Sequence, residues 1–225
     1  MVENHQQGHR KRLRERLIKS GEESLADYEL LEMALYWSHP RGDTKPIAKD
    51  LLIKFKNLAN VFIASNDDLK KVKGVGDSTV AVLRLSYAIA LRLAKAELTD
   101  RPLLMDSDQL IRYCRLRIKD PKVEQFHIFF LDKKHQFLSD EIHQIGTVDH
   151  AAVYPREIIK KALEHGASKI LMVHNHPSGD STPSKADVDL TKHIAEIGEK
   201  LGIQVNDHLV LGSGSYTSMK AKELF

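Results

Sequence analysis

Val173-His174-Asn175-His176-Pro177-Ser178-Gly179-Asp180-Ser181-Thr182-Pro183-Ser184-Lys185-Ala186-Asp187 decides what kind of domain this chain builds. The apolar run Ile170-Leu171-Met172-Val173 leads into it and reads as a buried strand ending at the first histidine. Side chains alternate faces along a strand, so His174 and His176 project together while Asn175 faces away. Downstream, Leu190, Ile194, Ile197 and Leu201 form the apolar stripe of a helix beginning near Lys185, and three residues back from Leu190 lies Asp187. A carboxylate on the apolar face of a helix is unfavourable unless it is paired or bound to metal. The loop 177–183 joins the strand end to the helix start, so two imidazoles and one carboxylate can converge on one cation. That is a protein ligand set of catalytic zinc, with a fourth position left for water. It predicts a hydrolase carrying one Zn2+ per chain. Each residue also has a plainer use. A His-x-His pair at a strand end can be inert, and Ser184 with Asp187 has the spacing of a helix capping box.

Around this stretch the pattern is that of a layered α/β domain. Phe126-His127-Ile128-Phe129-Phe130-Leu131 is a continuous apolar strand, Asp132-Lys133-Lys134 a turn, and a second strand follows near 136–145. Pro155 opens a helix through Leu163 that Gly166 closes. Strand 169–174, helix 185–200 and a last strand at 205–211 complete the alternation, which predicts a mixed sheet flanked by helices. His127, His135, His143 and His150 are dispersed without ligand spacing. Cys114 sits on a helix face with Leu110, Ile111 and Leu116 and reads as core.

Residues 9–97 carry helical signals instead. Leu25, Leu30, Leu31 and Leu35 recur at helical spacing after Ser24 and Asp27, a second helix follows Pro46, and Asn66 or Asp67 caps a short third. A long helix runs from about 77 to 97 with Val80, Leu83, Tyr87, Leu91 and Ala94 in one stripe. Asp100-Arg101-Pro102 reads as the junction, which places domain boundaries at 1–100 and 101–225. Trp37 and Tyr36 end a helix and read as core or an interdomain contact. Between the third and fourth helices, Lys73-Gly74-Val75-Gly76 gives the form of a helix-hairpin-helix, its glycines permitting a tight turn. Such a hairpin resembles sequence-independent DNA-binding modules, which grip phosphates at a helix N-terminus. Lys70, Lys71 and Lys73 add charge there, whereas Asp77 opposes a phosphate. Contact with DNA and contact with protein are both open uses of it.

Composition narrows the class. A 225-residue chain with 42% hydrophobic and 29% charged residues is ordinary for a globular protein and long enough for a sizeable core. No run approaches the roughly 18 apolar residues of a membrane span. The polar, basic N-terminus shows no secretory signal, and the single Cys114 fits a reducing cytoplasm. One cysteine also excludes the zinc deaminases, which need a Cys-x-x-Cys pair. Residues 1–100 hold 17 Lys/Arg against 14 Asp/Glu and the remainder 17 against 17, so the whole net charge of +3 lies in the first part. It concentrates in Arg10-Lys11-Arg12-Leu13-Arg14-Glu15-Arg16, which can meet phosphates or an acidic partner, or form a solvated helix face. An HNH nuclease is discounted, because that motif's three residues are dispersed and here Asn175 points away from both histidines.

The order His-x-His, seven residues, Ser, two residues, Asp resembles the signature of the JAMM (MPN+) metallopeptidases, which include zinc deubiquitinating isopeptidases. The longer string HNHPSGD-x-x-PS is similar to the bacterial RadC-like branch of that superfamily, where an asparagine at the position of Asn175 is normal. Pro155-Arg156-Glu157-Ile158, Asp207-His208 and the helical first part with its Gly-Val-Gly hairpin extend the resemblance over nearly the whole chain. It implies a helical N-terminal domain followed by a JAMM-type α/β domain. It also implies a zinc metallopeptidase or isopeptidase with His174, His176 and Asp187 as ligands, and a catalytic glutamate before the first core strand. Glu124 matches that position, with Glu141 and Glu157 as alternatives. Ser184 is then the donor to the oxyanion, or only a helix cap. The substrate that the resemblance implies is a peptide or protein. The competing expectation is a DNA-associated factor of repair or recombination whose hairpin binds nucleic acid and whose zinc site is non-catalytic.

Overall fold

A computed structural model of the protein describes residues 8–99, 102, 108–118, 122–146 and 153–225, the side chains of 144–146 excepted. The chain forms two compact units, Met1–Ala90 and Leu91–Phe225. The division between them falls inside a long helix.

The first unit is helical. Its elements are α1 (His9–Ser20), α2 (Asp27–Leu35), α3 (Lys45–Phe55), α4 (Leu58–Ile63), α5 (Asn66–Lys70) and the first part of α6 (Asp77–Thr99). Local capping explains the boundaries. Glu29 reaches back to the Ala26 amide, Asn57 Oδ1 accepts from the Asn60 amide at 2.8 Å, and Ser65 Oγ accepts from the Asp68 amide at 3.0 Å. Ser65, and not Asn66 or Asp67, therefore caps α5. Leu31, Leu35, Leu51, Val61, Leu69 and Leu83 fill the core between these helices. The basic run on α1 is partly an internal tie. Arg10 donates to the carbonyls of His39, Pro40 and Gly42 at 2.7–2.9 Å, and Arg16 pairs with Glu29. Trp37 is 87% exposed, contrary to a core role.

At the hairpin, Gly74 adopts a left-handed φ of 87°, and a Cβ there would lie 2.8 Å from Ile47 Cδ1. Its carbonyl also meets His39 Nε2 at 3.0 Å. Gly76 needs neither positive φ nor close approach. Lys70 pairs with Asp77 at 2.5 Å and Lys71 with Asp68 at 2.7 Å, so two of the three hairpin lysines are matched to carboxylates.

The second unit is a five-stranded mixed sheet between helices. Its strands are β1 (Glu124–Leu131), β2 (Phe137–Gly146), β3 (Lys169–Asn175), β4 (Gln204–Leu211) and β5 (Tyr216–Ser218), in the order β2-β1-β3-β4-β5. Only β3 and β4 run parallel, joined through helix α9 (Lys185–Lys200). Helix α8 (Pro155–Glu164) and α9 cover one face over Phe126, Ile128, Phe130, Ile170 and Met172. Helix α7 (Asp108–Arg117) and the end of α6, through Ala94 and Leu98, cover the other over Phe129, Leu131, Leu171 and Val173. The central strands are buried on both faces, as expected for strands with helices on either side. Asp140 of β2 is held among Lys95, Arg117 and the Tyr113 hydroxyl at 2.8–2.9 Å. Burial alone would raise its carboxyl, but those three donors keep it below the ordinary range. Leu201 is 52% exposed and so ends the apolar stripe of α9 one turn early.

His127, in the middle of β1, is buried, and among the described residues neither of its ring nitrogens has a hydrogen-bond partner. Burial, reinforced by nearby Arg117, pushes it down to about 4. The unfolded chain takes up a proton between pH 6.5 and pH 4 that the folded chain refuses, so stability present at neutral pH drains as the pH falls through this window. We expect the stability of the wild type, measured against His127→Leu by urea unfolding, to drop by about 3 kcal/mol between pH 7 and pH 4. Parallel pH profiles for the two proteins would exclude this residue as the cause.

Candidate metal centre

His174 is the sixth residue of β3 and fully buried. It pairs in register with Phe126 of β1, and the two rings stack with centroids 6.1 Å apart. His176 lies just past the strand, but its amide still donates to the Leu211 carbonyl at 3.0 Å, so the ladder holds its backbone as far as the loop. The loop then packs on the turn between β4 and β5: Gly179 has φ 84°, a Cβ there would collide with Ser213, and one at Gly212 would collide with the Gly179 carbonyl. Ser213 donates its amide to the Gly179 carbonyl, and Ser181 Oγ meets Ser215 Oγ at 3.1 Å. This packing aims the Asp180 carbonyl at His176 Nδ1, 2.9 Å away. A carbonyl only accepts, so Nδ1 carries a proton, and in the neutral ring Nε2 of His176 is left as the acceptor.

Asp187 arrives from the other side. Ser184 is the N-cap of α9, its Oγ accepting from the Asp187 amide at 3.2 Å, while the Asp187 carboxylate accepts from the Ser184 amide at 2.7 Å and from its hydroxyl at 2.6 Å. The capping box and the carboxylate expected of a ligand are thus one arrangement. His174 Nε2 and His176 Nε2 stand 3.0 Å apart, with Asp187 Oδ1 3.4 Å from the first and Oδ2 3.5 Å from the second. These three residues are the one His/Cys/Asp/Glu group among the described residues that could hold a metal ion. Burial alone would raise the Asp187 carboxyl, but the two histidines and Ser184 hold it far below the ordinary range. His176 is raised by its bond to Asp187.

Glu124, the first residue of β1, is half-buried on the same face as Phe126 and close enough for its charge to act on His176. The other two glutamates are engaged elsewhere. Glu141 pairs with His165 at 2.7 Å and Lys161 at 3.6 Å, and Glu157 sits 3.3 Å from Arg156. His135 is on a turn beside Lys169, His143 is on β2, and His150 lies outside the described residues. Burial pushes the Cys114 thiol up, which removes it as a nucleophile. The hairpin residues Lys73, Gly74, Val75 and Gly76 belong to the first unit.

Two family models match this chain. A RadC-like JAB domain spans residues 104–224, and a UPF0758 N-terminal domain spans residues 5–81. The chain belongs to the RadC-like JAB domain family. In this RadC-like chain, three residues near the cluster have roles that sequence spacing did not suggest. Asn175, on the face opposite the histidines, uses its Oδ1 to accept from the Gln125 amide at 3.0 Å and its Nδ2 to donate to the Val123 carbonyl at 3.1 Å. It thereby grips the backbone on both sides of Glu124. His208 of β4 meets His174 Nδ1 at 2.8 Å, and Thr191 of α9 meets His208 at 2.6 Å. A polar His in the middle of an apolar strand was the available signal for His208; Thr191 had none. Among the described residues no helix is long and apolar enough to cross a membrane.

Asn175→Leu removes both bonds to the β1 backbone inside a buried environment. It should lower stability by roughly 2–3 kcal/mol in denaturant unfolding, and a loss under 0.5 kcal/mol would contradict the clamp.

Proposed function

We propose that this RadC-like chain is a zinc-dependent hydrolase that cleaves a peptide or isopeptide amide. The observation that carries this reading is the convergence of His174 Nε2 and His176 Nε2, 3.0 Å apart, on the Asp187 carboxylate, whose Oδ1 lies 3.4 Å from the first and whose Oδ2 lies 3.5 Å from the second. Around a tetrahedral zinc with bonds of about 2.0–2.1 Å, neighbouring ligand atoms lie about 3.3 Å apart. Two imidazole nitrogens and one carboxylate oxygen also suit zinc chemically, and the set leaves a fourth position. His174 and His176 would hold the ion through Nε2, and Asp187 through its carboxylate. Zinc bound there supplies Lewis acidity, which makes water nucleophilic near neutral pH.

The chain's own residues supply the proton movements. The Glu124 carboxylate takes the proton lost by water as the amide carbonyl is attacked, then delivers one to the leaving nitrogen. Its place beside His176, on a strand end gripped by Asn175, supports that assignment. Ser184 donates its hydroxyl to Asp187 Oδ2. A role at the oxyanion requires that hydroxyl to turn from the carboxylate toward substrate. The nucleic-acid alternative has less behind it. Lys70 and Lys71 are neutralised by carboxylates, and Gly74 is used to pack against Ile47.

Purified protein should contain one zinc per chain, and His176→Ala should lose it. Glu124→Gln should keep the zinc while cleaving peptide-amide or isopeptide substrates about 10²–10⁴-fold more slowly. Stoichiometric zinc with no amide cleavage over a broad substrate panel would sink the hydrolase. Ser184→Ala should lose about 1 kcal/mol of stability through its cap and turn over more slowly at unchanged zinc content. Unaltered turnover would leave Ser184 as a cap alone.

A further inference from the structure

The bonds behind His174 form a chain whose proton positions can be read from end to end. Thr191 Oγ lies 2.6 Å from the Asp187 carbonyl, one turn earlier on α9. That carbonyl only accepts, so the single hydroxyl proton of Thr191 points to it. The same Oγ lies 2.6 Å from His208 Nδ1 and, with its proton committed, must accept there. His208 therefore carries its proton on Nδ1, and its Nε2 is an acceptor. His208 Nε2 is 2.8 Å from His174 Nδ1, so His174 is the donor in that contact. The remaining nitrogen, His174 Nε2, is left bare and faces His176 Nε2 and Asp187.

The fold makes this arrangement through one irregularity. The β3–β4 register shifts between Ile170 and Leu171, whose partners are Val205 and Asp207. Asn206 is thus the extra residue of a bulge, and everything after it changes face. His208 and Val210 now pair with Met172 and His174 and share their side of the sheet, beneath α9. Without the shift, His208 would project away from Thr191. His208 is fully buried, as is Thr191, so water does not compete for these bonds.

We propose that His208 and Thr191 are positioning residues that lock His174 into the tautomer with a bare Nε2, presenting that nitrogen to a metal ion. What the relay selects is where each proton sits. Removing the Thr191 hydroxyl takes away the acceptor that holds the His208 proton on Nδ1. That proton then moves to Nε2 and is donated to His174 Nδ1, which drives the His174 proton onto the nitrogen the metal needs. The chain also closes on itself, because it ends on the backbone of Asp187, whose carboxylate is the third ligand.

The proposal rests on the metal-site reading above, and two measurements separate their failures. Zinc affinity is measured on the full chain by competition with a chromophoric chelator, for wild type, Thr191→Val and Thr191→Ser. Thr191→Val should bind zinc about 10- to 100-fold more weakly, and Thr191→Ser, which keeps the hydroxyl, should restore wild-type affinity. Long-range proton–nitrogen correlation on histidine-labelled, metal-free wild type reads the tautomers directly and needs no variant to fold. His174 and His208 should both appear protonated on Nδ1. Equal zinc affinity in Thr191→Val and wild type, or a His174 protonated on Nε2, overturns the relay. Wild type that binds no zinc overturns the metal reading instead, and the tautomer spectrum still decides the relay.

Discussion

Imidazole nitrogens and carboxylate oxygens that face one another need a cation or a proton between them, and this chain brings three such residues together. Two imidazole nitrogens 3.0 Å apart and a carboxylate within 3.5 Å of them would be a defect in an ordinary core. Here each is pinned from behind by a bond that fixes its direction. His176 is held by the Asp180 carbonyl, Asp187 by the amide and hydroxyl of Ser184, and His174 by His208. Because the Asp180 carbonyl and the Ser184 amide are backbone groups and His208 is fully buried, relaxation of one of these residues away from the others is resisted. Preorganisation of this kind moves the unfavourable work of gathering like groups into folding, so that binding a cation relieves it.

The sheet is what makes the supports rigid. β3 lies between β1 and β4 with ladders on both sides, so neither histidine can shift along the strand without breaking paired bonds. Asn175 turns the same strand outward and fastens the start of β1, which carries Glu124. One strand therefore directs two ligands to one face, while the residue between them secures the base candidate from the other. The His-x-His spacing is a consequence of pleating, and the intervening residue is free for a separate task.

Period and capping carried most of what could be foreseen. The strand at 169–174 and the helix at 185–200 follow from apolar pattern and from Ser184 with Asp187, so the three ligand candidates were readable without coordinates. His208 and Thr191 were not, because their meeting depends on a bulge at Asn206 that no local propensity announces. The short elements α4 and β5 escaped for a related reason: six and three residues are too few to show a period. Trp37 misled because size suggests burial, whereas a large apolar side chain at a helix end can stay in solvent. On the long helix α6 the stripe Val80, Leu83, Tyr87, Leu91 and Ala94 runs on without a break, so it could not reveal that the residues up to Ala90 and from Leu91 onward belong to different units.

The hairpin and the metal cluster look equally motif-like as strings, and physical chemistry separates them. A glycine that serves a ligand leaves its open side toward solvent, but the space at Gly74 is filled by Ile47, and its carbonyl is taken by His39. Two of its three lysines, Lys70 and Lys71, are paired with Asp77 and Asp68. These groups of that turn satisfy each other. At His174, His176 and Asp187 bonds made from behind instead bring the inward-facing atoms within 3.0–3.5 Å of one another. A set of groups whose hydrogen-bonding needs close internally is explained by folding, whereas one held open at a cost calls for a ligand.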